Sequence, residues 1–255
     1  VSMKVIILAA GQGTRLRPYT NDRPKCMVEL NGKPLLHRQL ETMRQCGISS
    51  TDISLVGGYL QENLVASGVK QYTNSRYAET NMVETLFSAE EFMVKGEDLI
   101  IAYGDIIYEP QVLNALLETS DEMVLTADED WEKLWSLRME NPLDDAETFK
   151  MNEDGYVVEL GKIPQSLVDV QAQYMGLIKV RGDKVKQFID FYHGLDRDKI
   201  YDGKDFANMY MTSFIQSLID SGWKVKATLI KNGWIEVDTA DELEMYERLG
   251  LFNCQ

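Results

Sequence analysis

The sequence predicts an α/β fold, a Rossmann-like doubly wound mixed sheet that is mostly parallel, with an antiparallel elaboration in its second half. Three observations carry this. Apolar runs of strand length alternate with amphipathic stretches through residue 127, the order that favours parallel strands joined by right-handed crossovers. The first run ends in a glycine-rich loop, where a parallel sheet opens its ligand crevice. Beyond residue 128 the runs are separated by turn clusters such as Asn152-Glu153-Asp154-Gly155, which favour hairpins.

Taken in order, residues 4–10 (KVIILAA) are continuously apolar, the pattern of a strand covered on both faces, and Gly11 ends them. Residues 34–46 read as a helix with Leu35, Leu36, Leu40 and Met43 on one side, stopped by Gly47. Residues 53–56 form the next strand, cut by Gly57 and Gly58. A short helix over 61–67, a strand over 69–73 and a helix over 82–93 follow, the last with Met82, Leu86, Ala89 and Met93 at helical spacing. Residues 99–103 are a buried strand, 111–117 a helix after Pro110, and 123–127 a further strand. The second half is expected to place strands at 135–140, 156–160 and 172–180, helices at 184–192 and 207–221, and strands at 225–230 and 234–237. The last helix begins at Thr239, where T-A-D-E has capping-box spacing. With no repeat, low-complexity tract or Pro/Gly/Ser linker, residues 3–255 are expected to form one domain.

Composition narrows the function. With 41 acidic and 26 basic side chains the net charge is −15, which argues against nucleic-acid or anionic-membrane partners, since both need a basic footprint. The 44% apolar and 26% charged content is that of a globular chain rather than a disordered one. Cys26, Cys46 and Cys254 make an odd count without a CxxC pair, which suits a reducing compartment, so a cytoplasmic address is expected. No apolar run approaches the roughly 20 residues of a membrane span. Val1 and Ser2, ahead of Met3, are set aside as a cloning remnant.

The most informative segment is L-A-A-G-Q-G-T-R-L-R at residues 8–17. Small residues let backbone N–H groups approach an anion closely. A dinucleotide fingerprint fails because its third glycine falls on Leu16, and no G-K-[ST] completes a P-loop. The segment offers cations instead: Arg15, Arg17, Arg23 and Lys25, suited to a triphosphate that gains negative charge on its leaving group. The alternative is an ordinary turn with solvated basic residues. Asp105 follows its strand through a glycine, and Glu236 and Asp238 lie two apart on a short strand and share a face. A divalent ion needs such hard oxygen ligands. Asp238 reads alternatively as a cap or dipole partner of the last helix.

A-A-G-Q-G-T-R-L-R-P followed by R-P-K resembles the sugar-1-phosphate nucleotidyltransferase superfamily and, more closely, the bacterial choline-phosphate cytidylyltransferase-like enzymes. The closer likeness rests on N-S-R-Y-A-E-T-N-M-V-E-T-L (74–86), A-Y-G-D-I (102–106), the Trp135 region and I-E-V-D-T (235–239). The resemblance implies a nucleotide-diphospho-sugar transferase-like fold, with a nucleotide-binding half at 3–127 and an acceptor-binding half at 128–255. It implies transfer of CMP from CTP to a phosphorylated or phosphonate small molecule, with release of pyrophosphate. The product would be a CDP-activated precursor for cell-surface polysaccharide or glycoconjugate decoration.

By the same resemblance Lys25 and Arg15 are catalytic, and Mg2+ is held by Asp105 and Asp238. Ala9, Ala10, Gly11, Gly13, Thr14, Arg15, Gly58, Tyr59, Thr80, Asn81 and Tyr103 bind the nucleotide; Trp135, Glu236 and Asp205 serve the acceptor. Thr80 and Asn81 read equally as a helix cap. Trp135 is implied to face a quaternary ammonium through a cation–π contact, or by spacing to be an alternating strand residue of the core. Met82 and Val83 depart from the polar and aromatic residues expected after Asn81 in a phosphocholine enzyme. That opens the acceptor to a phosphorylated amino acid, an aminoalkyl phosphonate or a sugar phosphate. Because the attacking phosphate oxygen is already anionic, no histidine base is required, and His37 and His193 are expected on the surface. A sugar-1-phosphate enzyme using another NTP is the alternative; a non-catalytic nucleotide-binding homologue would be expected to lose Lys25 or Asp105. A homo-oligomer is left open.

Overall fold

The computed structural model describes residues 2–252; Val1 and Cys254 lie outside the described residues. Numbering the strands of the main sheet in chain order, these are β1 (Met3–Leu8), β2 (Ile53–Gly57), β3 (Lys70–Thr73), β4 (Asp98–Tyr103), β5 (Met123–Asp128), β6 (Gln173–Val180) and β7 (Val225–Ile230). They lie in the order β7-β5-β6-β4-β1-β2-β3. All run parallel except β6, which is antiparallel to both β4 and β5. The predicted sheet is therefore present, and the antiparallel elaboration of the second half enters the main sheet as β6.

Alternation along the strands builds two cores. Ile7 and Ala102 face one side with Leu36 and Leu113, while Ile6, Ile101 and Ile178 face the other with Phe188 and Phe214. The helices are α1 (Leu35–Gln45), α2 (Met82–Phe87), α3 (Pro110–Glu118), α4 (Trp131–Arg138), α5 (Val185–Gly194), α6 (Met211–Asp220) and α7 (Ala240–Arg248). Among the described residues no helix is long and apolar enough to cross a membrane.

From β1 the chain moves to β2 and β3 on one side and to β4 on the other, so the connections diverge and leave a crevice at the carboxyl ends of β1 and β4. There Leu8 stands opposite Tyr103. The Gly104 N–H donates to the Leu8 carbonyl at 2.9 Å, and a Cβ on Gly104 would lie 2.6 Å from that oxygen. Only glycine lets the chain turn this tightly into Asp105.

Four sequence expectations are corrected. Residues 61–67 hold one 3-10 turn, Gln61–Asn63, in place of a helix. The helix expected over 82–93 ends at Phe87 and resumes as a 3-10 turn, Glu90–Phe92. The helix expected from 207 starts at Met211, after a separate turn, Phe206–Asn208. The largest correction is at 135–140, which is not a strand. Trp135 and Arg138 belong to α4, where Trp131, Leu134 and Trp135 recur at i, i+3 and i+4 and are the buried residues. The alternation W-S-L-R-M-E imitates a strand, but Leu137 is nearly half exposed, as a helix's outer face requires.

Candidate active site

Two short antiparallel strands, Ile106–Tyr108 and Trp234–Glu236, pair beside the crevice with Ile106 opposite Glu236, and the Val237 N–H donates to the Asp105 carbonyl at 3.0 Å. This pairing brings together carboxylates more than a hundred positions apart. Oxygens of Asp105, Glu236 and Asp238 lie within 4.8 Å of one another. Asp238 does not cap α7. Thr239 and Glu242 form the predicted capping box, leaving the Asp238 side chain free to turn into the site.

Lys25 reaches this cluster from the turn Lys25–Met27, placed by the extended backbone of Pro24. Its Nζ donates to Asp105 Oδ2 at 2.8 Å and to Asp238 Oδ1 at 2.6 Å. The stem is fixed by Gly13, held at φ +60°, where a Cβ would meet Lys25 Cβ at 3.0 Å and Thr20 Cγ2 at 2.8 Å. Burial alone would lower the pKa of this ammonium, but the two carboxylates reverse that and hold Lys25 charged well beyond its ordinary range. Burial likewise disfavours the Asp238 anion, yet Lys25 and Arg15 keep it below the usual carboxylate range. Arg15 contacts Asp238 Oδ2 at 2.5 Å from a largely exposed position, open to an incoming anion.

Glu236 behaves differently. Burial and the Asp105 carboxylate push it up to about 8, against the pull of Arg138. Arg138 is buried in α4, donates to Glu236 Oε2 at 3.2 Å and pairs with Glu242. Asp105 Oδ1 is buried without a protein partner. An orphaned carboxylate oxygen beside two further carboxylates is a donor set that suits a hard divalent cation.

A cavity of about 430 Å³ joins Lys25 and the carboxylates to Asn81, Tyr103, Trp135, Glu147 and Gln173. Asn81 lines it while its Oδ1 accepts from the Met82 N–H, so the cap reading of this residue is realised. Thr80 is engaged in its own turn, donating to the Arg76 carbonyl and accepting from Asn74. The Tyr59 hydroxyl donates to the Thr20 carbonyl at 2.8 Å and ties down the glycine loop. Ala9 and Ala10 are buried, whereas Gly11 and Thr14 stand at the surface. The hydroxyl of Tyr174 donates to that of Tyr103 at the cavity wall.

Several expected residues lie elsewhere. Arg17 is exposed, and Arg23 pairs with its neighbour Asp22. Asp205 is exposed and caps the turn Phe206–Asn208 through the Asn208 N–H, outside the cavity lining. Trp135 does line the cavity, but it is 1% exposed, with Arg138 stacked over its ring at 4.7 Å and Trp131 and Trp234 packed against it. Its cation–π partner is internal, which opposes the expected contact with a quaternary ammonium. Arg138, Glu147 and Gln173 escaped the sequence reading, since no local motif marks them.

The model of the MobA-like NTP transferase domain matches residues 5–150. The chain is 44% identical to the CTP:phosphoglutamine cytidylyltransferase of Campylobacter jejuni, over 95% of this chain and 98% of that one. It is 26% identical to the choline-phosphate cytidylyltransferase of Streptococcus pneumoniae, over 97% and 98%. The solved inositol-1-phosphate CTP transferase of T. maritima shares the fold at a TM-score of 0.72 and 19% identity, with 100% of this chain and 98% of that one covered. The family match and the full-length likeness agree with the fold, and the chain belongs to the MobA-like NTP transferase family as a nucleotidyltransferase of the cytidylyltransferase type.

Proposed function

We propose that this enzyme transfers CMP from CTP to a phosphorylated glutamine in the presence of Mg2+, releasing pyrophosphate. The observation that carries this reading is Lys25, fixed between Asp105 and Asp238 at the mouth of the glycine loop. An oxygen of the acceptor phosphate attacks the α-phosphorus in line; the new O–P bond forms as the bond to the bridging oxygen breaks and pyrophosphate departs. The attacking oxygen is already an anion near pH 7, so no side chain must take a proton. Lys25 and Arg15 present fixed positive charge to the α-phosphate and the leaving pyrophosphate, so that catalysis is positioning and electrostatics.

Asp105 and Asp238 would hold Mg2+, with Glu236 beside them, and the bound ion would neutralise the triphosphate charge. Glu147 supports an acceptor that carries an ammonium group: it lines the cavity, and burial and nearby Asp145 raise it above the ordinary carboxylate range, a tension that a cation relieves. A glutamine acceptor agrees with the 44% identity to the phosphoglutamine enzyme and with the departure at Met82 and Val83. We read the enzyme as acting in the cytoplasm, where CTP is supplied, and its CDP-linked product as a precursor for cell-surface glycoconjugate decoration.

The test is a pyrophosphate-release panel of CTP, UTP, GTP and dTTP against phosphoglutamine, phosphocholine, 2-aminoethylphosphonate and glucose-1-phosphate, with and without EDTA. CTP with phosphoglutamine should lead, and EDTA should abolish the signal. Turnover of glucose-1-phosphate with UTP or dTTP would instead make this a sugar-1-phosphate enzyme.

A further inference from the structure

Besides Asp105 Oδ1, two buried polar atoms in the cavity wall have no hydrogen-bond partner. Gln173, 5% exposed on β6, donates from Nε2 to the Tyr174 carbonyl at 3.0 Å, and its Oε1 is left without a donor. A backbone carbonyl only accepts, so this bond sets which way the amide points, and the atom left over is the acceptor. Trp135, on α4, has an indole N–H with no acceptor, although its ring is held by Arg138, Trp131 and Trp234. Both side chains line the cavity that also holds Lys25 and Asp105. Native proteins pair nearly all such buried groups, so an orphaned donor and an orphaned acceptor on one cavity describe the ligand they await.

We propose that Trp135 and Gln173 form an amide-reading pair, in which the indole N–H donates to the acceptor molecule's amide carbonyl and Gln173 Oε1 accepts from its amide N–H. This deepens, and rests on, the reading of phosphoglutamine as the acceptor. Other head groups leave one or both atoms unpaired. A quaternary ammonium offers neither donor nor acceptor, a primary ammonium offers only donors, and a carboxylate offers only acceptors. Both atoms are covered in the unliganded protein. Met82, Met175 and Met211 line the same cavity and are flexible enough to repack as the ligand enters. Discrimination then follows from the cost of leaving a buried polar group unpaired when the wrong acceptor binds.

The test compares Trp135→Phe and Gln173→Leu with the wild type in steady-state assays using CTP and phosphoglutamine. Each variant should raise KM for phosphoglutamine about tenfold, as expected for one lost hydrogen bond in a site built for it, and leave KM for CTP unchanged. A rise in KM for CTP would assign the pair to the base, and an unchanged KM for phosphoglutamine would overturn the proposal. If either variant fails to fold, the wild-type protein answers by NMR: the Trp135 indole N–H resonance should move downfield when phosphoglutamine is added, and stay in place with CTP alone. A wild type that turns over phosphocholine or 2-aminoethylphosphonate but not phosphoglutamine removes the acceptor reading itself and the pair with it. That outcome is distinct from a wild type active on phosphoglutamine whose variants keep their KM.

Discussion

On the proposed reading, the two sides of the cavity, one for the nucleotide and one for the acceptor, are built on opposite plans. On the nucleotide side Lys25, Asp105, Asp238 and Arg15 are charge-matched to one another, and the glycine loop is tied down by Tyr59 and Thr20. On the acceptor side Trp135, Glu147 and Gln173 come from separate elements, and two of them carry unpaired atoms. The first side leaves only a carboxylate oxygen, Asp105 Oδ1, for a cation and, on that reading, presents charges that would suit any nucleoside triphosphate. The second would be completed by a particular molecule that supplies the missing groups, and the proposed specificity would reside there.

The largest effect expected from disturbing this contrast is at Lys25. Lys25→Ala should lower kcat by about 10³, the scale of losing one fixed charge donor aimed at the transition state, while the protein still melts cooperatively. Turnover near that of the wild type would break the assignment of preorganised electrostatics to the nucleotide side. Arg138→Met tests the boundary between the sides. It leaves Glu236 and Glu242 without their cation and should cost about 3 kcal/mol in a denaturant titration, as removal of one partner of a buried ion pair does. It should also loosen Trp135, whose ring Arg138 covers. A loss below about 1 kcal/mol would show that water replaces the guanidinium and that the pair behaves as a surface bridge.

The last expected effect is a pH slope. In EDTA-treated protein Glu236 is held at about 8, against an ordinary value of 4.5, so between these the folded chain binds a proton that the unfolded chain releases. This contribution is fully present below the unfolded value and is lost as pH rises through about 8. Glu236→Gln should therefore flatten the fall in stability between about pH 5 and 8, read as melting temperature against pH. An unchanged slope would move the buried proton to another group.

The elements that were legible are those whose signals are local. The apolar run before Gly11, the spacing of α1 and the capping box at Thr239 each specify structure within one or two turns of chain. The same holds for Lys25 and Asp105, which lie just after strands or within a short motif. Misreadings fell where a short pattern satisfies two periods, as at Trp135, whose alternating neighbours hid a helical face. Asp205 looked like a site residue only by likeness, and the local turn claims its carboxylate.

The sequence by itself determined the sheet, the glycine-rich loop and the identity of its charged residues, because backbone propensity and short-range spacing act over a few residues. Only the tertiary structure decided that Asp105 and Glu236 share one edge, that Arg138 rather than a ligand covers Trp135, and that Gln173 on an antiparallel strand faces the same cavity. Those facts depend on strand order, register and the burial of polar atoms, and each is set by contacts between segments far apart in the chain.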